Sequence, residues 1–211
     1  MSKYQFKESD IYLPGGDVPR NRMDITDSDV LHAVESELLQ SAFHVFVADM
    51  DANTRFDEFY FKELHRQIFI GLYDWAREYR TVNMSKGGSL FCQADFIPQE
   101  ARRIFCQLDQ ENFLKDAALQ STEEFAERLA YFQCELIALH PFYELNGRIT
   151  RLFFDLIAVY YGYDPIDYSH TLRTDSTNAY IRASVECVQA ADNGRLRNII
   201  LQGLQKQGEG E

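Results

Sequence analysis

The chain has 211 residues, 45% of them apolar and including 16 Phe and 12 Tyr, which suits one domain with a sizeable core and excludes a disordered chain. Thirty-three acidic against 21 basic residues leave a formal charge of −12, so neither general nucleic-acid binding, which needs clustered Lys and Arg, nor a membrane association is expected. The N-terminus carries no apolar run and no stretch approaches the ~18 apolar residues of a membrane span. Cys92, Cys106, Cys134 and Cys187 form no CxxC pair and are expected to be small buried hydrophobes in a reduced, cytoplasmic protein.

Residues 1–25, with Pro14, Gly15, Gly16 and Pro19, read as an irregular arm. A helix is expected from about Asp27, capped by Thr26 or Asp27, with Ile25, Val30, Leu31, Val34, Leu38 and Leu39 as its apolar positions. After a polar break at Asp49 to Thr54, Phe61, Leu64, Ile68, Leu72, Trp75 and Tyr79 follow one another by three or four residues. That spacing predicts one amphipathic helix running through Tyr79, with Tyr73 also in its core stripe. RTVNMSKGGSLFCQADFIP alternates at its start and carries Gly87-Gly88, which predicts a short β-hairpin.

A helix from Pro98 to about Glu111 is expected next. Another begins near Ser121-Thr122 with acidic residues in its first turn. Its stripe is Phe125, Leu129, Phe132, Leu136 and Leu139, and it stops at His140-Pro141, because proline disfavours the helical conformation of the residue before it. A further helix runs from about Asn146 through Tyr160 and ends near Gly162. Asp164-Pro165 reads as a turn or strand entry. The last helical region, about Asn178 to Gln205, breaks near Asp192-Asn193-Gly194, and residues 206–211 read as a frayed tail. The organisation is one helical domain over 26–205, all-α with one short hairpin. His32, His44, His65 and His170 occur singly and read as surface or hydrogen-bonded side chains.

The stretch HPFYELNGRITR, residues 140 to 151, joins two of these helices. Arg148 and Arg151 lie on one face of the first turn of the second helix, where free N–H groups and the helix dipole already place positive charge. A bound phosphate chain reverses the sign of that argument. Gly147 permits close approach of a ligand to the backbone, and Asn146 can supply an amide donor. Glu144 has the chemistry of a Mg²⁺ ligand against phosphate. His140 stands before the anion site and could take a proton from an attacking hydroxyl. These are the parts of phosphoryl-type transfer. The residues also allow a plainer arrangement, with His140 as a structural cap and Glu144 paired to Arg148.

The same stretch resembles the Fic family motif HPFx(D/E)GNGRxxR and departs from it at one place, Leu145, where the family has glycine. LHRQIFIGLYDWAREYRTVNMSKGGSLF is similar to the family's helix and flap, and PRNRMDITDSDVLHAVESEL to the N-terminal helix of Fic proteins controlled by a separate antitoxin. The resemblance spans most of residues 15 to 205. It implies a helical Fic fold that transfers AMP from ATP, with Mg²⁺, to a hydroxyl of a target protein. It assigns His140 as general base, Phe142 as core anchor of the loop and Glu144 as the Mg²⁺ ligand. Asn146, Gly147 and Arg148 become the anion-binding turn, and Arg151 the contact to the distal phosphates. The flap, Lys86, Gly87, Gly88, Ser89, Leu90 and Phe91, would align the target as an added strand.

The Doc branch, which phosphorylates its target, has lysine where this chain has Gly147, so the resemblance favours AMP transfer. Two departures bear on activity. Leu145 would strain a left-handed turn by ~1–3 kcal/mol or crowd a phosphate, although the Doc branch has alanine there. Arg77, expected on a helix near the flap, stands where the family usually has glycine. The alternatives are a weakened Fic-fold protein that acts by binding, or a Fic enzyme with another nucleotide donor. The inhibitory (S/T)xxxE(G/N) helix of the family has no convincing copy in this chain. The resemblance therefore implies control by a small antitoxin bearing that helix, and DNA gyrase or topoisomerase IV as targets.

Overall fold

A computed structural model describes residues 11–13, 18–171 and 178–208. Residues 1–10 and 14–17 of the expected irregular arm and the end of the tail, residues 209–211, lie outside them. Helix α1 spans Ser28–Asp49, with the Asp27 carboxylate accepting from the N–H groups of Asp29 and Val30, as the sequence predicts. Helix α2 spans Glu58–Phe69, capped by Asp57. Strands β1, Ser85–Lys86, and β2, Ser89–Leu90, form the antiparallel hairpin. Helix α3 spans Ile97–Gln110, α4 Lys115–Gln120, α5 Thr122–Leu139, α6 Asn146–Tyr160, α7 Ala179–Ala190 and α8 Gly194–Gly203. The expected all-α fold with one small hairpin is the fold observed.

Helix α5 is the axis of the domain. All five residues of its predicted stripe are buried, and so are Ala126, Ala130, Gln133, Cys134 and Ile137 on its other sides. A helix buried nearly all round needs neighbours on every side; α3, α4, α6, α7 and α8 pack against it, while α1 and α2 pack on α6. The Ser121 hydroxyl caps its first turn by accepting from Glu124 N–H at 3.1 Å. At the other end His140 turns left-handed, φ 46°, and its N–H closes on the Leu136 carbonyl at 3.1 Å. Pro141 forbids a further helical turn.

Several elements differ from expectation. The helix predicted through Tyr79 stops at Phe69, and the chain continues in tight turns closed by Leu72 N–H to Phe69, Ala76 N–H to Tyr73 and Glu78 N–H to Trp75. Arg77 is consequently in a turn, with φ 74°, rather than on a helix. Leu72 and Tyr73 are nevertheless fully buried, so consecutive turns bury the same apolar spacing that a helix would. After α3 the residues Asn112, Phe113 and Leu114 are all left-handed, and this reversal sets off α4, which no periodicity marked. The predicted break before α8 is present, with Ala191 at φ 52°. Lys206 bridges Tyr163 and Gln207 N–H donates to the Gly162 carbonyl, so this part of the tail is tied down. Among the cysteines only Cys134 and Cys187 are buried, while Cys106 is exposed. No helix of the described residues is long and apolar enough to cross a membrane.

Candidate active site

The junction of α5 and α6 opens into a cavity of ≈ 410 Å³. His140, Asn146, Gly147, Thr150 and Arg151 line it from the junction, Lys86, Gly87, Ser89 and Phe91 from the hairpin, and Tyr180, Ile181, Ser184, Val185 and Val188 from α7. Of the sequence-predicted residues, Gly88, Leu90, Glu144, Leu145 and Arg148 do not line it; Glu144 and Arg148 lie on the side of the junction that faces the N-terminal arm and α1, where they meet Tyr12 and Glu35.

The loop between the helices is braced from within. The Asn146 side chain accepts from Phe142 N–H at 2.7 Å and donates to the Phe142 carbonyl at 2.7 Å. Part of the amide that the sequence offered to a ligand is therefore spent on the loop. Phe142 is fully buried between His65, at 4.1 Å between ring centroids, and Phe61, at 5.4 Å. His65, a lone histidine by sequence, is a buried strut. Its Nδ1 accepts from Arg77 N–H at 2.9 Å, which leaves the proton on Nε2, 3.4 Å from the Glu144 carbonyl.

His140 is 8% exposed and its ring stacks on Phe91 of the hairpin, 3.7 Å between centroids and 11° between planes. Burial, with the Arg80 and Lys86 cations nearby, pushes its pKa down to about 3, against an opposing hydrogen bond to the Ile137 carbonyl. His140 is thus a neutral imidazole at pH 7. One nitrogen donates to Ile137, and the other has the character of a proton acceptor.

Asn146 and Gly147, the first residues of α6, line the cavity. Gly147 has open space where a Cβ would stand, so packing within the protein leaves room there for a ligand. Thr150, which sequence reasoning passed over, is 1% exposed, and its hydroxyl has no hydrogen-bond partner among the described residues. An unsatisfied buried hydroxyl beside a cavity is a ready contact for a bound molecule. The Arg151 guanidinium lies 5.1 Å from the centre of the Tyr180 ring.

Glu144 and Arg148 take partners that the sequence did not suggest. Glu144, 5% exposed, does not pair with Arg148; one of its oxygens accepts from the Tyr12 hydroxyl at 2.6 Å. Arg148 instead reaches Glu35 of α1, Nη1 to Oε2 at 3.0 Å. Neither atom meets the angular requirement of a hydrogen bond, so the contact is an ion pair held by charge. Tyr73 completes it by donating to the other Glu35 oxygen at 2.5 Å. Glu35 and Tyr12 are 113 and 132 residues from their partners, and nothing local in the sequence signals either contact.

Leu145 has φ 69°, the conformation the motif glycine implied, and it is 6% exposed as part of the hydrophobic core. Its side chain does not line the cavity, so it does not crowd a ligand. The left-handed backbone costs about 1–2 kcal/mol, whereas deleting a buried leucine side chain typically costs about 2–5 kcal/mol. Burial wins. Leu145→Gly is expected to lower the free energy of unfolding by about 1–3 kcal/mol in a denaturant titration; a gain in stability would mean that backbone strain dominates.

The two buried histidines also set a pH dependence. His65, held at about 3 by burial, and His140 stay neutral in the folded chain, while both take up protons near the ordinary 6.5 once unfolded. Their contribution to stability is complete above pH 6.5 and is lost as pH falls towards 3. Each costs up to about 1.4 kcal/mol per pH unit in that window. Asp155, pushed up to about 7 by burial, acts in the opposite sense, but it retains some exposed surface and offsets at most one histidine. Unfolding free energy is expected to fall between pH 6.5 and 5; a flat or rising profile would show that the histidines titrate normally in the fold.

Residues 55–158 match the model of the Fic/DOC family. A probable protein adenylyltransferase of Sinorhizobium fredii, y4lH, is 34% identical over 164 residues, covering 78% of this chain and 82% of that protein. The probable protein adenylyltransferase Fic of Escherichia coli is 32% identical over 155 residues, covering 73% and 74%. The crystal structure of the effector BepC from Bartonella tribocorum with bound AMPPNP shares the fold, with a TM-score of 0.79 at 21% identity over 93% of this chain and 97% of that one.

Proposed function

Since this chain belongs to the Fic/DOC family, we propose that it is a protein adenylyltransferase, which moves AMP from ATP to a hydroxyl side chain of another protein. The observation that carries the reading is the placement of a buried neutral histidine at the mouth of a cavity that also opens on a helix N-terminus. The target hydroxyl attacks the α-phosphorus and its proton passes to His140. The bond from the α-phosphorus to the bridging oxygen breaks, and pyrophosphate leaves. Donation from one imidazole nitrogen to the Ile137 carbonyl orients the other as the acceptor.

The N–H groups of the Asn146–Gly147 turn and the Arg151 guanidinium are proposed to hold the phosphates. Arg148, kept on the outer face by Glu35, is proposed to add positive potential to the same turn. Thr150 is proposed as a further donor. The apolar side chains of α7, Ile181, Val185 and Val188, suit the flat face of a purine. Gly147, with open space at its Cα, supports the proposed preference for AMP transfer over phosphorylation. The hairpin, with Leu90 62% exposed, is proposed to align the target segment by main-chain pairing.

Among the described residues no cluster of three or more metal-ligating side chains occurs. One carboxylate suffices for Mg²⁺, which keeps its waters and takes substrate phosphates as ligands; Glu144 is proposed to supply it, and because its carboxylate stands outside the cavity lining it would have to turn towards the phosphates to do so. Bound there, Mg²⁺ would neutralise charge on the phosphates. Tyr12 holds one of the Glu144 oxygens and would have to share or yield it.

As targets we propose subunits of DNA gyrase or topoisomerase IV, and as regulator a small antitoxin bearing an (S/T)xxxE(G/N) helix, both from the resemblance of the N-terminal segment to antitoxin-controlled Fic proteins. Mass spectrometry of a bacterial lysate treated with the protein, ATP and Mg²⁺ tests the reading. An AMP increment on a Ser, Thr or Tyr side chain is expected. No increment on any protein, from a folded chain that binds ATP, would leave the binding-protein alternative standing.

A further inference from the structure

Among the described residues Arg80 is the buried Lys or Arg, 1% exposed, and its guanidinium is met by carbonyl oxygens. Its Nε donates to the His140 carbonyl at 2.8 Å, Nη1 to Val82 at 2.6 Å, and Nη2 to Cys92 at 2.5 Å and to Leu139 at 3.4 Å. Its backbone N–H donates to the Pro141 carbonyl at 2.8 Å. Val82 precedes β1 and Cys92 follows β2, so the two legs of the hairpin meet in one side chain. Leu139 and His140 carry the last carbonyls of α5, which have no helical donor of their own and sit at the negative end of the helix dipole. Cys92 N–H adds a direct tie to the Ala138 carbonyl at 3.0 Å.

A buried charge without a carboxylate is costly unless fixed dipoles replace its water. Here the C-terminus of α5 and the hairpin legs do so. Burial lowers the Arg80 pKa only to about 10, so it remains charged at pH 7. The arrangement is more expensive than an apolar plug of the same size, and it acts on the one histidine that lines the cavity. We propose that Arg80 is a positioning residue that locks the hairpin to the C-terminus of α5, so that seating a target on the hairpin and orienting His140 become a single event. This rests on the reading of His140 as the base. The planar fork is essential to it, because an ammonium is a point charge and cannot address four carbonyls lying in different directions.

The test compares Arg80→Gln and Arg80→Lys with the wild-type chain. Binding of a fluorescent ATP analogue is expected to stay within about 2-fold, while transfer falls by about 10–100-fold, as a misplacement on the order of 1 Å can cause. In both variants the Cys92 and Phe91 amides are expected to exchange with solvent faster. The His140 pKa, followed by NMR, is expected to rise towards its ordinary value in Arg80→Gln. Free guanidinium is expected to restore part of the transfer rate to Arg80→Gly by remaking the contacts to the same carbonyls. Wild-type transfer by a folded Arg80→Lys would overturn the proposal, as would nucleotide binding lost in step with transfer. The exchange and titration readouts require no activity, so they still decide whether Arg80 couples the hairpin to His140 if His140 proves not to be the base.

Discussion

His140→Ala is expected to slow AMP transfer by about 10²–10⁴-fold, the usual worth of a positioned general base, with ATP affinity and stability little changed. The side chain is held for proton transfer rather than for binding. It is neutral through burial and neighbouring cations, and flattened against Phe91 at 3.7 Å. Its backbone already occupies the left-handed cap of α5, which alanine tolerates no better than histidine, so the fold loses only the ring contact to Phe91 and the hydrogen bond to the Ile137 carbonyl. Single-turnover kinetics with a modified target check this. A His140→Ala chain that transfers within about 10-fold of wild type would assign the proton to another group.

Phe142→Ala is expected to cost about 3–5 kcal/mol of stability, a large share of the roughly 5–15 kcal/mol available to a domain. Phe142 is fully buried, and His65, Phe61 and Tyr79 surround it. It also fastens the loop that carries the site, since its N–H and carbonyl are the two groups that Asn146 holds. A cavity at this point frees His65, and with it the contacts to Arg77 and to the Glu144 carbonyl. Nucleotide affinity is therefore expected to fall together with the unfolding midpoint. A loss under about 1 kcal/mol in denaturant would mean that the surrounding rings close over the gap.

Much of the scaffold was readable because its signals are local. The α5 stripe, its Ser121 cap and the Pro141 stop all act within a few residues, and so does Gly87-Gly88, whose positive φ angles turn the hairpin. The run to Tyr79 misled because Leu72 and Tyr73 are buried in turns at a helix-like spacing, and apolar periodicity reports burial rather than hydrogen bonding. The α6 turn was legible from two arginines at the positive end of a helix, yet their fates diverge: Arg151 faces the cavity beside Tyr180, and Arg148 is held by Glu35. Tyr12, Glu35, His65 and Arg80 reach the site from other elements, and long-range partnership has no signature in one sequence. Leu145 read as a possible obstruction because its neighbours are ligand-facing types. Only its packing shows the side chain turned into the core.

The most direct test is a pair of transfer reactions with ATP labelled in its α- or its γ-phosphate, run with Mg²⁺ and a purified target. The α-label is expected on the target, with pyrophosphate released and no transfer of the γ-label. Covalent γ-label would make the chain a kinase, and no label from either nucleotide, with ATP binding and fold intact, would contradict adenylyl transfer altogether.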